Sequence, residues 1–366
     1  MSEIKKIAVM TGGGDCPGLN PVIRAVTKTA IMKYGLEVVG IKHGYRGLYL
    51  GGDEFVNLTL DKVEEILSKG GTILYSSNKD NLFDYTYEDE NGNTCHGDVS
   101  DVGVENLRKA GIDALVVIGG DGTLTSGRDF SRKGVKVIGV PKTIDNDLAA
   151  TDTTFGFDTA VSTAVEAIDR LKTTAESHSR IITVEAMGRY AGFLALSAGI
   201  GGAADAILIP EIEYDINKVA ETIKANYARG KNYAIVVVAE GAKPKDGEVV
   251  VSKVVENSPD PIRLGGIANV VAEQLEKLVG LEARATILGH VQRGGSPTAN
   301  DRILSTRYGA HAVELLMQGK FGNMVTLKGN QMSYESLENV IGANKAVDPS
   351  GELVTIAEAT GVSFGR

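Results

Sequence analysis

The sequence predicts an α/β protein with two doubly wound, mostly parallel sheets. Short runs rich in β-branched residues alternate with longer amphipathic stretches, which is the pattern of repeated β–α units. The short runs are apolar on both faces, as expected for parallel strands that helices cover on both sides. The chain has 366 residues, enough for about two domains of ordinary size. We therefore expect two lobes of this kind.

The apolar patterns place the individual elements. Strands are predicted at residues 7–10, 38–41, 114–118, 135–140, 181–184, 206–209, 234–238 and 285–288. Helices are predicted at residues 21–34, 102–110, 159–174 and 267–279. Segment 80–101 is polar and contains the sequence DENGN, so we expect an exposed loop or hairpin there.

Composition limits the possible partners and compartment. Asp and Glu outnumber Lys and Arg by 47 to 38, giving a net charge of −9. An acidic chain without a basic tail argues against nucleic acid as a partner. The two cysteines, Cys16 and Cys95, are too few for a disulfide framework and favour a reducing compartment. No signal-peptide core is found, and the uncharged stretch 191–204 is too short to span a bilayer. We expect a cytoplasmic protein without membrane contacts.

A glycine-rich segment, TGGGDCPGLN at residues 11–20, follows the first predicted strand. Ligands of open α/β sheets bind beyond the carboxyl ends of strands. We expect Gly12, Gly13 and Gly14 to leave three backbone N–H groups facing a phosphate, aided by the N-terminus of the next helix. The alternative is a tight turn from strand to helix.

Carboxylates follow two further strands. The motif GGDGT at residues 119–123 offers Asp121, which is suited to Mg²⁺ on a polyphosphate; an N-cap for the following helix is the alternative. The motif PKTIDND at residues 141–147 offers Thr143, Asp145 and Asp147. Phosphoryl transfer to an alcohol needs an acceptor for the hydroxyl proton and metal charge near the phosphates. A surface Asx turn is the alternative for this second motif.

Basic side chains recur at the ends of later elements. They are Arg180, Arg189, Arg284, His290 and Arg293. Arginine forks and an imidazolium suit a dianionic phosphate monoester, although each residue alone reads as a solvated surface charge. Glu240, at the end of a strand, could accept hydrogen bonds from sugar hydroxyls.

Taken together, these segments resemble the 6-phosphofructokinases. The resemblance runs from about residue 4 to about residue 316 and rests on TGGGDCPGLN, GGDGT, PKTIDND, SHSRIITVEAMGR, VVVAEG and EARATILGHVQRGGSP, in that order. It implies two Rossmann-like lobes and transfer of the γ-phosphoryl group of MgATP to the 1-hydroxyl of fructose 6-phosphate in glycolysis. It also implies a donor lobe at residues 1–156 plus 292–342. The fructose 6-phosphate lobe would then comprise residues 157–291 plus 343–366.

The resemblance also assigns residues. The ATP-binding positions correspond to Gly14, Asn78, Lys79, Gly120, Asp121, Gly122 and Thr123. The substrate-binding positions correspond to Thr143, Asp145, Arg180, Met187, Gly188, Arg189, Glu240, Arg284, His290 and Arg293. By resemblance, Asp121 binds Mg²⁺, Asp145 is the general base, and Thr143 and Arg189 lie close to the transferred phosphate and the transition state.

An oligomer is implied as well. In the family, the residues that match Arg180 and Arg284 reach across from a neighbouring subunit. We therefore expect a homotetramer, a dimer of dimers whose active sites are shared between subunits. Four residues fall at effector positions of the family, namely Arg24, Lys28, Asp205 and Lys231, but the arginine expected near residues 58–62 is missing.

Two positions bear on the phosphoryl donor. Lys142 is typical of pyrophosphate-dependent members, whereas Gly122 stands where those members usually carry Asp. This combination resembles a mixed branch whose members with glycine there mostly use ATP. We expect an ATP-dependent enzyme, with the pyrophosphate-dependent fructose 6-phosphate 1-phosphotransferase as the alternative.

The sequence argues against two other classes of protein. Asp121, Asp145 and Arg189 are intact, which argues against an inactive subunit that only senses sugar phosphate. A nucleotide-binding oxidoreductase would need a GxGxxG motif with an acidic residue about 20 positions later, and that motif is missing.

Overall fold

The computed structural model describes residues 4–88, 92–245, 247–254 and 262–366. The chain forms two compact units, each assembled from segments that are distant in sequence. Unit 1 comprises Met1–Thr143, Leu148–Gly156 and Gly294–Asn344. Unit 2 comprises Ile144–Asp147, Phe157–Arg293 and Lys345–Arg366.

Strands and helices alternate along much of the chain. The strands are β1 (Lys6–Thr11), β2 (Glu37–Ile41), β3 (Phe55–Leu58), β4 (Tyr85–Glu88), β5 (Thr94–Gly97), β6 (Ala114–Gly119), β7 (Val137–Pro141), β8 (Ile181–Ala186), β9 (Ala206–Leu208), β10 (Ala234–Ala239), β11 (Val251–Val254), β12 (Ile262–Leu264), β13 (Ala283–Ile287), β14 (Asn323–Lys328) and β15 (Gln331–Ser336). The helices are α1 (Leu19–Tyr34), α2 (Tyr45–Leu50), α3 (Leu60–Glu64), α4 (Ser100–Lys109), α5 (Asp121–Arg132), α6 (Phe157–His178), α7 (Phe193–Gly201), α8 (Ile216–Ala228), α9 (Ile267–Val279), α10 (Ala299–Met317), α11 (Leu337–Val340) and α12 (Glu352–Ala359).

Unit 1 is built on a seven-stranded sheet, as far as the described residues show, in the order β15-β14-β7-β6-β1-β2-β3. The five inner strands pair in parallel, and β3 and β15 add antiparallel edges. From β1 the chain proceeds to β2 on one side and later to β6 and β7 on the other, so the sheet is doubly wound. The carboxyl ends of β1, β6 and β7 therefore lie side by side at one edge.

The core of unit 1 explains why its strands read as continuous apolar runs. Every residue of β6 and β7 is buried, because helices cover both faces of the sheet. On one face, Leu115 and Val117 of β6 pack in a cluster with Met10 of β1 and Phe130 of α5. This packing fixes the strand ends from which the functional loops leave.

Unit 2 contains a smaller sheet of the same kind. Its strands follow the order β13-β8-β10-β9, and all their pairings are parallel. Ile181 and Val236 lie in a buried cluster with Val271 and Leu275 of α9. The carboxyl ends of β8, β10 and β13 again share one edge.

The predicted fold class is confirmed, and the differences concern peripheral elements. Segment 80–101 contains the antiparallel pair β4 and β5, and residues 89–91 between these strands lie outside the described residues. The edge strands β3 and β15 were not predicted, because their half-exposed residues do not form a continuous apolar run. Strand β14 was not predicted either, because its buried run at 324–326 is short. In the described part of the chain, no helix combines the length and apolar character that crossing a membrane requires.

A buried carboxylate anchors α9 to the central strand of unit 2. The N-cap of α9 is Gly266, which has no side chain to cap the helix. Instead, Glu185 of β8, only 3% exposed, accepts hydrogen bonds from the N–H groups of Gly266 at 2.9 Å and Ala268 at 3.0 Å. A carboxylate is favoured at a helix N-terminus by the free N–H groups and the helix dipole.

Replacing Glu185 by Ala should lower the free energy of unfolding by about 2–4 kcal/mol, because two N–H groups at the start of α9 lose their acceptor. Glu185→Gln keeps one acceptor oxygen and should lose about half as much. Urea unfolding followed by circular dichroism measures both. Equal stabilities for the Ala variant and the wild type would contradict this account of α9.

Candidate active site

Three loops of unit 1 leave the sheet at the same edge. In the parallel register, Thr11 of β1 lies opposite Ile118 of β6, and Gly119 of β6 lies opposite Pro141 of β7. The loops at 12–14, 120–123 and 142–143 therefore start next to one another. The three motifs are far apart in the sequence, and the parallel register of β1, β6 and β7 brings them together.

The glycine-rich loop uses its backbone differently from the prediction. The N–H of Gly12 donates to the carbonyl of Ile118 at 2.9 Å, and the N–H of Gly13 donates to the carbonyl of Ser77 at 2.9 Å. The expectation that Gly12, Gly13 and Gly14 all present free N–H groups is therefore wrong for Gly12 and Gly13. These two N–H groups hold the loop in place, and only Gly14 stays a predicted phosphate contact.

Steric contact with Thr123 explains why glycine occurs here. A Cβ on Gly12 would lie 2.6 Å from Cγ2 of Thr123, and a Cβ on Gly119 would clash with the same side chain. Gly13 has φ +77°, a conformation that other residues rarely adopt. Thr123 thus fits between two glycines, which lets the loop after β1 approach the start of α5.

Residues 75–77, which carry no recognisable motif, support the glycine loop. The hydroxyl of Thr11 donates to the carbonyl of Tyr75 at 2.7 Å, and the hydroxyl of Ser76 donates to the carbonyl of Gly13. Tyr75 has φ +56°, which is strained for a bulky residue. Asn78 and Lys79, two predicted donor contacts, follow this segment and are exposed.

Asp121 is the first residue of α5, whose N-cap is Gly120. The alternative of an Asp N-cap is therefore wrong. Its Oδ1 accepts a hydrogen bond from the N–H of Gly342 at 3.0 Å, a contact between residues 221 positions apart. Gly122 is exposed, and a Cβ added there would meet no atom within 4 Å. The space beside Asp121 is open.

Lys142 lies beneath the glycine loop. Its side chain is buried, with 4% exposure, and its ammonium group donates to the carbonyl of Gly14. Thr143 is also buried, and its carbonyl accepts a hydrogen bond from the hydroxyl of Thr154 at 2.8 Å. The ammonium group of Lys142 therefore lies next to Gly14, which remains a predicted phosphate contact.

Asp145 belongs to the short segment Ile144–Asp147 of unit 2. It is only 6% exposed, so the alternative of a surface Asx turn is wrong for this residue. Asn146 has φ +53°, and its Oδ1 accepts a hydrogen bond from Nζ of Lys345 at 3.2 Å. The N–H of Lys345 also donates to the carbonyl of Asp147 at 2.8 Å. The segment is held in a strained conformation that buries a carboxylate.

The loop after β8 carries Met187, Gly188 and Arg189. The Oε1 of Glu240 accepts hydrogen bonds from the N–H of Arg189 at 2.8 Å and from the N–H of Gly188 at 3.3 Å. Arg189 has φ +52°, so this carboxylate helps to hold a strained residue. Burial raises the pKa of Glu240, and the negative charge of Asp145 raises it further, against the effect of the Arg189 N–H.

The predicted phosphate-binding residues fall into two separate groups. His290 and Arg293 lie on the 3-10 turn Gly289–Arg293, which follows β13 at the carboxyl edge of the sheet. Arg180 directly precedes β8, and Arg284 is the second residue of β13, so both lie at the amino edge. At about 3.3 Å per residue, Arg180 is roughly 20 Å from the loop after β8.

At the amino edge, Glu282 pairs with both arginines. Its Oε2 accepts a hydrogen bond from Nε of Arg180 at 2.5 Å, and its Oε1 contacts the guanidinium of Arg284. The structure therefore does not bring Arg180 and Arg284 together with His290 and Arg293 within one chain.

Two of the predicted effector positions line a separate cavity of about 600 Å³ in unit 2. Asp205 is buried and accepts hydrogen bonds from Nζ of Lys231 at 2.6 Å and from Nδ2 of Asn226 at 2.7 Å. The charge of Lys231 is thus already balanced by Asp205.

Comparison with known proteins agrees with the arrangement of the motifs. The family model for phosphofructokinase matches residues 6–316. The chain belongs to the phosphofructokinase family. A relative from Clostridium perfringens, ATP-dependent 6-phosphofructokinase 2, is 68% identical over 365 residues, which is 100% of this chain and 99% of that protein. The family predicted from the motifs is thus confirmed.

Other phosphofructokinases show how far the similarity extends. The pyrophosphate–fructose 6-phosphate 1-phosphotransferase of Amycolatopsis methanolica is 47% identical, covering 94% of this chain and 96% of that protein. A solved structure of phosphofructokinase from Saccharomyces cerevisiae matches with a TM-score of 0.79 and 33% identity. That match covers 92% of this chain but 45% of the yeast chain, so the protein spans less than half of the yeast chain's length.

Replacing Glu240 by Gln should change how stability depends on pH. The raised pKa means that the folded protein holds this proton more tightly than the unfolded chain does. The wild type therefore loses stability as the pH rises from the ordinary carboxyl pKa to the raised one. Glu240→Gln cannot ionise, yet its Oε1 can still accept the loop N–H groups. The variant should gain stability relative to the wild type across this window, and not below it.

Thermal unfolding midpoints of both proteins, measured from about pH 4 to about pH 8, test this expectation. Two profiles that stay parallel over the whole range would contradict the raised pKa.

Proposed function

We propose that the chain is an ATP-dependent 6-phosphofructokinase that converts fructose 6-phosphate to fructose 1,6-bisphosphate. The observation that carries the proposal is the 68% identity, over its whole length, to a relative of that name. The loops described above supply the chemical groups that the reaction needs. They also argue against an inactive sensing subunit, because Asp121, Asp145 and Arg189 are all present.

The donor residues all lie in unit 1. We assign them to Gly14, Asn78, Lys79, Gly120, Asp121, Gly122 and Thr123. Among the described residues, no group of three or more His, Cys, Asp or Glu side chains could hold a metal ion. A single carboxylate, Asp121, fits Mg²⁺, which in phosphoryl transfer takes one or two carboxylates together with substrate phosphates. When bound, Mg²⁺ would neutralise charge on the phosphates.

The acceptor residues lie mainly in unit 2. The sugar and the transferred group are assigned to Thr143, Asp145, Met187, Gly188, Arg189 and Glu240. Asp145 takes the proton of the 1-hydroxyl as that oxygen attacks the γ-phosphorus, and the bond to the β-phosphate oxygen breaks. Arg189 is exposed beside the half-buried Glu240, so its guanidinium can reach the charge that develops on the phosphoryl group.

The 6-phosphate is assigned to His290 and Arg293 of one chain and to Arg180 and Arg284 of another. The support is geometric, because the two pairs lie at opposite edges of one sheet, roughly 20 Å apart. A single chain cannot place all four on one phosphate. The protein would then be an oligomer with shared sites, for which we propose a homotetramer, a dimer of dimers. Its placement in the cytoplasm also stays a proposal.

A pyrophosphate-dependent enzyme is the second candidate. It is favoured by the Amycolatopsis relative. Lys142 is typical of pyrophosphate-dependent members, but its charge could serve the terminal phosphates of either donor. Gly122 argues for ATP, because the open space at this residue leaves room for the α-phosphate of a nucleotide. A carboxylate at this position would repel that phosphate, yet would tolerate the shorter pyrophosphate.

The donor can be tested with the wild type and two variants. Fructose 1,6-bisphosphate formation is measured with Mg²⁺ and either ATP or pyrophosphate, and the wild type should prefer ATP. Gly122→Asp should reduce kcat/KM for ATP about ten- to several-hundredfold, because a like charge about 4 Å away costs roughly 1–4 kcal/mol. Gly122→Asn adds the same bulk without charge, and the open space should tolerate it with a much smaller loss.

A wild type that prefers pyrophosphate would overturn the ATP assignment in favour of the second candidate. Undiminished use of ATP by Gly122→Asp would remove Gly122 as the selector. A wild type that phosphorylates no fructose 6-phosphate with either donor would reject the proposed function.

A further inference from the structure

The loop after β8 has its backbone N–H groups bound by two side chains. Glu240 accepts from Gly188 and Arg189, as described above. The remaining N–H, that of Met187, donates to Oε1 of Gln292 at 3.0 Å. Gln292 lies 105 residues further along the chain, on the turn Gly289–Arg293 that carries His290 and Arg293. One side chain thus connects the proposed sugar loop to the proposed phosphate turn.

We propose that Gln292 is a positioning residue, which sets the distance between the loop that holds the sugar and the turn that holds its 6-phosphate. The proposal rests on the proposed function, because it assumes that fructose 6-phosphate binds to both. The sugar phosphate has a fixed length, so a shift of the turn relative to the loop would weaken binding and misplace the reacting hydroxyl together.

The burial pattern of the turn supports this role. His290 is exposed and Arg293 is partly buried, whereas Gln292 between them has no exposed surface. α6 packs against the same turn. Gln292 is the buried residue of this turn. Its hydrogen bond with the N–H of Met187 therefore sets the direction in which the side chains of His290 and Arg293 project.

The amide of Gln292 is also costly for the fold. Its Oε1 must face the N–H of Met187, so the orientation of the amide is fixed and Nε2 points away. That Nε2 is buried and has no hydrogen-bond partner among the described residues. An unsatisfied buried donor is unfavourable, and an apolar residue of similar size would avoid it. If the side chain at this position only filled space, Met would be the more stable choice.

The test compares Gln292→Met with Gln274→Met. Gln274, in α9 of the same unit, also has a buried amide atom, its Oε1, for which the described residues supply no hydrogen-bond partner. Three readouts are taken: hydrogen exchange at the Met187 amide, equilibrium affinity for fructose 6-phosphate, and steady-state kinetics for both substrates.

Gln292→Met should remove the protection of the Met187 amide and lower kcat/KM for fructose 6-phosphate about ten- to a hundredfold, with both kcat and KM affected. KM for the donor and the thermal midpoint should stay close to those of the wild type. Gln274→Met should leave all three readouts unchanged.

Unchanged protection and unchanged sugar-phosphate affinity in Gln292→Met would overturn the proposal while leaving the proposed function intact. Failure of the wild type to bind fructose 6-phosphate would instead reject the proposed function. If Gln292→Met does not fold, Gln292→Glu replaces it: this variant keeps an acceptor oxygen and should keep the Met187 amide protected. Loss of protection in that variant would count against the hydrogen bond as the cause.

Discussion

The parallel pairing of the strands is the constraint on which the rest of this structure depends. The loops that follow parallel strands all begin at the same edge of the sheet, so loops from distant parts of the sequence lie next to one another. In unit 1 this gathers the loops after β1, β6 and β7, and in unit 2 those after β8, β10 and β13. The same pairing places the residues at the starts of the strands at the opposite edge, away from these loops. Arg180 and Arg284 stand at the starts of their strands and cannot join the carboxyl-edge loops of their own chain.

Several backbone N–H groups of these loops donate hydrogen bonds to other parts of the protein, which fixes the loops in place. The N–H of Gly13 donates to the carbonyl of Ser77, and the N–H of Met187 donates to Oε1 of Gln292. Strain accumulates at the same places, with Asn146 and Arg189 both in the left-handed region of backbone conformation. Such residues persist only where surrounding contacts fix them, and Glu240 supplies two such contacts at the loop after β8. The conformation of the loop after β8 therefore depends on hydrogen bonds to side chains that are distant in sequence.

The sequence was sufficient for the parallel strands and for the motifs that follow them, because both are local patterns. It could not show which N–H groups of the glycine loop are already bound, since Ile118 and Ser77 are far away along the chain. Gln292 was passed over for the same reason: a glutamine in GHVQRGG carries no sign of its contact 105 residues earlier. The sequence does not reveal β15 because its residues are only half buried, and it does not reveal β14 because its buried run at 324–326 is short.

We propose that a complete site needs arginines from a second chain. Subunit complementation tests it directly, by mixing Asp145→Asn, which lacks the general base, with the double variant Arg180→Ala and Arg284→Ala. Each variant alone should be nearly inactive. After dissociation and random reassociation, about a quarter of the sites would combine intact Asp145 with intact arginines from the neighbour, so up to about a quarter of the wild-type activity should return. No recovery in mixtures whose hybrid assembly is verified by native mass spectrometry would contradict the claim.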